Sequence, residues 1–192
     1  MSDDTTTAFF ANLVYDTGFD KSIQMGMVVE SPDGNLWTVL KTSDVNLQGF
    51  QAAAYQNIET GQIIVATRGT EPTSKMDLYA DLQMGMDGVL AGLPNQFVLA
   101  SNFLSSVEAI AGANPISLTG HSLGGSLAEW LGAESHYPTV TYNAYGIGTI
   151  LAANLMLPDD SDFSNIVNNV IDKDPVMMSC MGLPQATLTS SI

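Results

Sequence analysis

Thr119-Gly120-His121-Ser122-Leu123-Gly124-Gly125 sets a serine among glycines, directly after a short apolar run and directly before a segment with helical spacing. That order is the signature of a nucleophile elbow. The serine rides a sharp strand-to-helix turn, where side chains at the flanking positions would collide with the backbone and block the hydroxyl. The turn also aims the Leu123 N–H, at the start of the helix, toward any oxyanion forming near Ser122. A serine hydroxyl further needs an imidazole to take its proton and return it to the leaving group. The chain has two histidines, His121 and His136. His121 stands in the tight turn beside Ser122, so its side chain is expected to leave in another direction. His136 is expected at the far end of the following helix, on the order of 20 Å away at 1.5 Å per residue. Neither is expected to serve Ser122 as a base.

The elements that must hold this turn are legible on both sides of it. Residues 115–119 read as a short buried strand, and residues 123–134 carry Leu127, Ala128, Trp130 and Leu131 at helical spacing. Upstream, 8–15 is a candidate short helix. Strand candidates 25–30 and 36–41 flank the turn cluster Ser31-Pro32-Asp33-Gly34-Asn35, and 50–57 and 62–67 flank Glu59-Thr60-Gly61. Between 95 and 112 the residues Phe97, Leu99, Ala100, Phe103, Leu104, Val107 and Ile110 trace a helical apolar face, with Gly112 and Pro115 as stop signals. Two further strands are expected at 138–144 and 166–171. Strands alternating with helices predict an α/β protein whose largely parallel central sheet, flanked by helices, is entered through an antiparallel edge. A length of 192 residues fits one domain over 1–192.

Composition narrows the partners. The formal charge is −15, with five cations, Lys21, Lys41, Arg68, Lys75 and Lys173. Such a surface repels nucleic-acid phosphates and anionic membranes, so no nucleic-acid partner is expected. The lone Cys180 forms no internal disulfide. Met1-Ser2-Asp3-Asp4-Thr5 lacks the basic start of a secretory signal, which leaves a secreted and a cytoplasmic setting both open. No apolar stretch is long enough for a transmembrane segment.

Three stretches carry a resemblance. Val65-Ala66-Thr67-Arg68-Gly69-Thr70 with Asp77 to Asp81, the elbow at Gly120 to Gly125, and Asn168 to Val176 around Asp174-Pro175-Val176 together resemble the class 3 lipases, a branch of the α/β-hydrolase fold. The similarity runs over about residues 50–176. The run Tyr142-Asn143-Ala144-Tyr145-Gly146-Ile147-Gly148 is also similar to bacterial secreted members, with Tyr145 where they carry a proline. The resemblance implies hydrolysis of carboxylic esters, of acyl lipids above all, through a Ser122 acyl-enzyme and without a cofactor or metal. By the same resemblance Thr70 is an oxyanion-hole donor beside Leu123, and Asp174 orients the catalytic histidine, with Asp172 as the alternative. Arg68 is expected to tie a carboxylate, Asp77 or Asp81, into place beside the site.

The family's histidine follows its acidic residue by several dozen positions, and here only 177–192 follow. Three explanations are open: a longer native chain, a chain that binds without catalysis or borrows a histidine from a partner chain, or weak hydrolysis by oxyanion stabilisation alone. Met76, Met84 and Met86 fall where the lipases carry a lid, although core filling is an equal reading for any one of them. Asp159, Asp160 and Asp162 have oxygens suited to calcium but lack the rest of a binding loop, so a solvated acidic turn is expected.

Overall fold

In two neighbouring strands almost every residue is apolar and buried, because successive side chains feed cores on opposite faces of one sheet. Ala52 and Ala54, with Ile63 and Val65, join one cluster, while Ala53 and Tyr55, with Ile64 and Ala66, join the other. The structure, a computed structural model, describes residues 4–18, 21–43, 50–69, 96–144, 146, 163–170 and 187–190, the last as backbone only. Among the described residues there are eight strands, β1 (Val28–Glu30), β2 (Leu36–Thr42), β3 (Ala52–Asn57), β4 (Ile63–Thr67), β5 (Ile116–His121), β6 (Thr139–Tyr142), β7 (Ile166–Val170) and β8 (Thr187–Ser190). They lie side by side in chain order. β1 to β4 form an antiparallel meander, and β4 to β8 are parallel. The expected sheet, parallel at its centre and entered through an antiparallel edge, is therefore present.

Helices cover both faces. α2 (Gln96–Ala111) links β4 to β5, and α3 (Leu123–Ser135) links β5 to β6. Both pack on the face of Ile63, Val65 and Leu118. α1 (Asp4–Leu13) covers the other face, where Phe10 stacks on Tyr55 at 4.4 Å and meets Trp37 edge-on at 4.9 Å. α3 is buried over nearly its whole circumference, held between the sheet and α2. Burying an aromatic or branched side chain of this kind is worth about 1.5–3 kcal/mol, and the large residues fully enclosed on both faces make the sheet the rigid frame of the molecule.

Some boundaries differ from the sequence reading. The first helix starts at Asp4 rather than residue 8, because its threonines are used locally: Thr7 Oγ1 donates to the Asp4 carbonyl at 3.0 Å, and both Thr6 and Thr7 are buried. The first strand begins at Val28 rather than residue 25. Residues 24–27 turn instead, with Met27 N–H donating to the Gln24 carbonyl at 3.1 Å and Gly26 at φ 88°. β8 has no counterpart in the sequence reading, since a short Thr-Leu-Thr-Ser run carries too little apolar pattern to announce a strand.

Candidate active site

Ser122 stands between β5 and α3 with φ 59° and ψ −128°, a conformation that non-glycine residues avoid. Strain of this kind, about 1–3 kcal/mol, persists only where the surroundings over-determine it. Here they do. The Ser122 N–H donates to the Tyr142 carbonyl on β6 at 3.0 Å, and its own carbonyl accepts the Ser126 N–H at 3.2 Å. Tyr142 is fastened in turn to α1, its hydroxyl donating to the Asp4 carbonyl at 2.5 Å and meeting Thr7 Oγ1 at 2.7 Å.

The glycines are required by contact between backbones. A methyl group on Gly120 would overlap the Gly124 carbonyl, and one on Gly124 would overlap the Thr67 carbonyl while lying 2.6 Å from Arg68 C and Gly69 N. One on Gly125 would come within 2.7 Å of Ala144 Cβ. The elbow is therefore clamped between the end of β4 and the end of β6. Thr67 closes the first side: its hydroxyl donates to the Gly124 carbonyl at 2.6 Å from a fully buried position.

Arg68 and Gly69, the two residues before Thr70, run directly along the first turn of α3. The Arg68 guanidinium donates to Gln51 Oε1 and lies over the Tyr15 ring, 5.3 Å from its centroid. Gln51 is itself held, its amide donating to the Thr17 carbonyl at 2.6 Å. These contacts serve the structural role expected of Arg68 through an amide and an aromatic ring, while the expected carboxylates Asp77 and Asp81 lie outside the described residues. Thr70, Asp172, Asp174, the methionines at 76, 84 and 86, and the acidic residues at 159, 160 and 162 also lie outside them. β7, which leads toward Asp172 and Asp174, ends at Val170 in register with the ends of β5 and β6, on the same edge of the sheet as Ser122.

His136 caps α3 at its far end, at φ 61° with its N–H on the Gly132 carbonyl at 3.0 Å. A 13-residue helix thus separates it from Ser122, a distance on the order of 20 Å. His121 is the exposed last residue of β5. Among the described residues no cluster of metal-ligating side chains is present, and none of the described helices is long and apolar enough to cross a membrane.

One buried acid beside the site escaped the sequence reading. Glu129, in the second turn of α3, accepts the Thr141 hydroxyl at 2.9 Å, and burial pushes its carboxyl up to about 7 against the opposing effect of that hydrogen bond. The available signal was a single acid within the otherwise uncharged run from Leu123 to Ala133. Thr141 precedes Tyr142, so this hydrogen bond ties α3 to the strand that receives the Ser122 N–H. The carboxyl is a positioning group two turns from the elbow.

Solved structures similar to this chain include lipases. The Lip2 lipase of Yarrowia lipolytica superposes with a TM-score of 0.55 at 17% identity, covering 91% of this chain and 71% of its own. Its nonglycosylated form gives 0.55 at 16%, with 91% and 73% covered. A triacylglycerol lipase from Penicillium expansum gives 0.46 at 14%, with 91% and 71% covered. The likeness to the Yarrowia enzyme establishes the α/β-hydrolase-like fold. No curated protein matches the chain significantly. The model of one family, phospholipase-like and described as the Tle-like phospholipase domain, matches residues 6–169, which span α1, the clamped elbow and β7 alike; with the lipase resemblance carried by the same elements, the chain belongs to that family.

Proposed function

We propose that this protein hydrolyses carboxylic esters of acyl lipids through an acyl-enzyme on Ser122, with phospholipids as the first substrates to try because the family's description names that activity. The observation that carries the reading is the strained, clamped backbone of Ser122 at the C-terminal edge of the parallel strands, the place where ligands meet sheets of this kind. Ser122 Oγ bonds to the acyl carbon, the developing oxyanion accepts from the N–H groups of Leu123 and Thr70, and the alcohol leaves with the proton. Water then releases the acid and regenerates the hydroxyl. Asp174 is assigned to orienting the imidazole that shuttles the proton. That imidazole belongs neither to His136, a helix length away, nor to His121. A partner chain is one source for it, and without it the chain retains oxyanion stabilisation, worth about 10³–10⁴ over the uncatalysed rate.

A second reading, a lipase-like binding domain without catalysis, rests on the same shortage of a base. Fluorophosphonate labelling and short-chain nitrophenyl ester turnover, compared between the wild-type chain and Ser122→Ala, separate the two. Slow labelling, over hours, and weak turnover, both abolished in Ser122→Ala, are expected. Stoichiometric labelling within minutes would show that a histidine already serves Ser122. Identical turnover in both proteins with no labelling at all would hand the function to the binding reading.

A further inference from the structure

Among the described residues, the helical cover over the α2 face of the sheet stops short of its antiparallel edge. α2 lies on β3 and β4, and α3 on β4 to β7, so Leu40 on β2 packs against this core only in part. Beside it, between α2 and the end of β2, is a cavity of about 790 Å³, within the range of about 300–1,000 Å³ usual for small-ligand sites. Its walls divide by chemistry. Phe50 and Phe103, edge to face at 6.3 Å, form the buried floor, Leu99 extends it along α2, and Met25, 66% exposed, stands at the rim. Lys41 is the one charged side chain among the described lining residues, which also include Gln24, Thr42, Ser43, Asn102 and Ser106. A β-bulge between Val39 and Lys41 shifts the register of β2 just there, the kind of irregularity that re-aims a side chain.

In a chain of net charge −15 with five cations, a lysine beside a cavity with an aromatic floor, with no carboxylate among the described lining residues, is out of keeping with the rest of the surface. A neutral or cationic occupant would desolvate that ammonium without a partner, whereas an anionic head would pair it. We propose that this groove binds a single-chain amphiphile with an anionic head, the head on Lys41 and the chain over Phe50, Phe103, Leu99 and Met25. The groove is separate from the elbow, since β2 and β5 are three strand spacings apart, about 14 Å. The inference stands on the groove and needs no turnover at Ser122.

The test uses the full chain with ¹³C-methyl methionine, Met25 being assigned through Met25→Leu, and sodium dodecanoate below its micelle concentration. Saturable one-to-one binding that shifts the Met25 methyl is expected. Dodecanol and dodecyltrimethylammonium should bind at least tenfold more weakly, and Lys41→Gln should lose roughly tenfold for dodecanoate, with Lys41→Arg restoring it. Dodecyl phosphate in the same titration distinguishes the sources of the head: tighter binding than dodecanoate assigns the groove to phosphate-headed lipids, weaker or equal binding to fatty acids. Binding that leaves the Met25 methyl unmoved, dodecanol as tight as dodecanoate, or Lys41→Gln with unchanged affinity would overturn the proposal. Ser122→Ala should bind as the wild type does, and loss of binding there would place the amphiphile at the elbow instead. Wild-type binding without any ester turnover would count against the hydrolase reading alone.

Discussion

The elbow and the antiparallel edge of the sheet are built by opposite means. At Gly120, Gly124 and Gly125 main chain lies directly on main chain or on a Cβ, and no side chain can move aside to relieve a change. At the other end Met25, Met27, Val28 and Leu36 are exposed, and Gly26 and Gly34 have nothing within contact of the missing side chain. The fold concentrates its close backbone contacts in the few residues around Ser122, while the outer side of the β1–β2 hairpin is open to solvent. A reaction that needs a hydroxyl and oxyanion donors held to within about half an ångström calls for such a clamp. A groove that accepts a flexible chain does not.

The comparison breaks first at Gly124. Gly124→Ala would drive a methyl into the Thr67 carbonyl and against the Arg68–Gly69 backbone. We expect a loss of about 3 kcal/mol or more, or no folded protein. Gly125→Ala would bring a methyl within 2.7 Å of Ala144 Cβ, 3.1 Å of its Cα and 3.3 Å of the Gly120 carbonyl oxygen, longer contacts than those at Gly124, and should cost less. Urea melts of the two variants check the order. A Gly124→Ala protein as stable as the wild type would mean that the clamp is loose and that the Ser122 geometry has another cause.

Glu129 sharpens the same contrast through pH. Its carboxyl titrates at about 7 in the folded chain against a usual 4.5, because burial penalises the charged form. The folded state therefore holds a proton that the unfolded state has released between those values. Stability contributed by the neutral acid is intact below about pH 4.5 and is lost as pH rises to about 7, by about 3 kcal/mol in all. Glu129→Gln removes the titration and should flatten the stability difference between pH 5 and pH 8 by most of that amount. Melts of both proteins across this range that run parallel would show that Glu129 is charged in the folded state.

How much of this was legible in the sequence follows the same division. The elbow was readable because its chemistry permits few residues: glycines where the backbone closes, a serine at the turn, an apolar strand before and an apolar helix after. The strands of the meander were readable from turn clusters such as Ser31 to Asn35, where Asp33 accepts from Ser31 and Asn35 and is held below the usual carboxylate range by those bonds. Less legible was whatever depends on distant pairing. Gln51 as the partner of Arg68, Thr67 as the latch on Gly124 and Thr141 as the partner of Glu129 are contacts between strands and helices far apart in the chain. Local pattern cannot announce them. The start of β1 was missed for the converse reason, because the apolar Met25 and Met27 look like strand while Gly26 at positive φ turns the chain.

A smaller effect is expected at Gly34, in the β1–β2 turn. Its φ of 82° strains any side chain, but the space around it is open. Gly34→Ala should cost about 1–2 kcal/mol, the backbone penalty alone, and fall well below Gly124→Ala in the same urea series. A loss as large as that of Gly124→Ala would mean that the hairpin is as tightly determined as the elbow.

The smallest effect separates packing from surface at Met25. With 66% of the residue exposed, its thioether adds little to the folded state, and Met25→Ser should change stability by no more than about 0.5 kcal/mol. If the groove takes an apolar chain, the same substitution should still weaken dodecanoate binding, since it removes apolar surface from the rim without disturbing Phe50 and Phe103 beneath. Stability held and affinity lowered would mark Met25 as a binding residue of the open edge. A substantial loss of stability would instead show that the rim is part of the core, and the contrast between a clamped elbow and a permissive edge would fail at its permissive end.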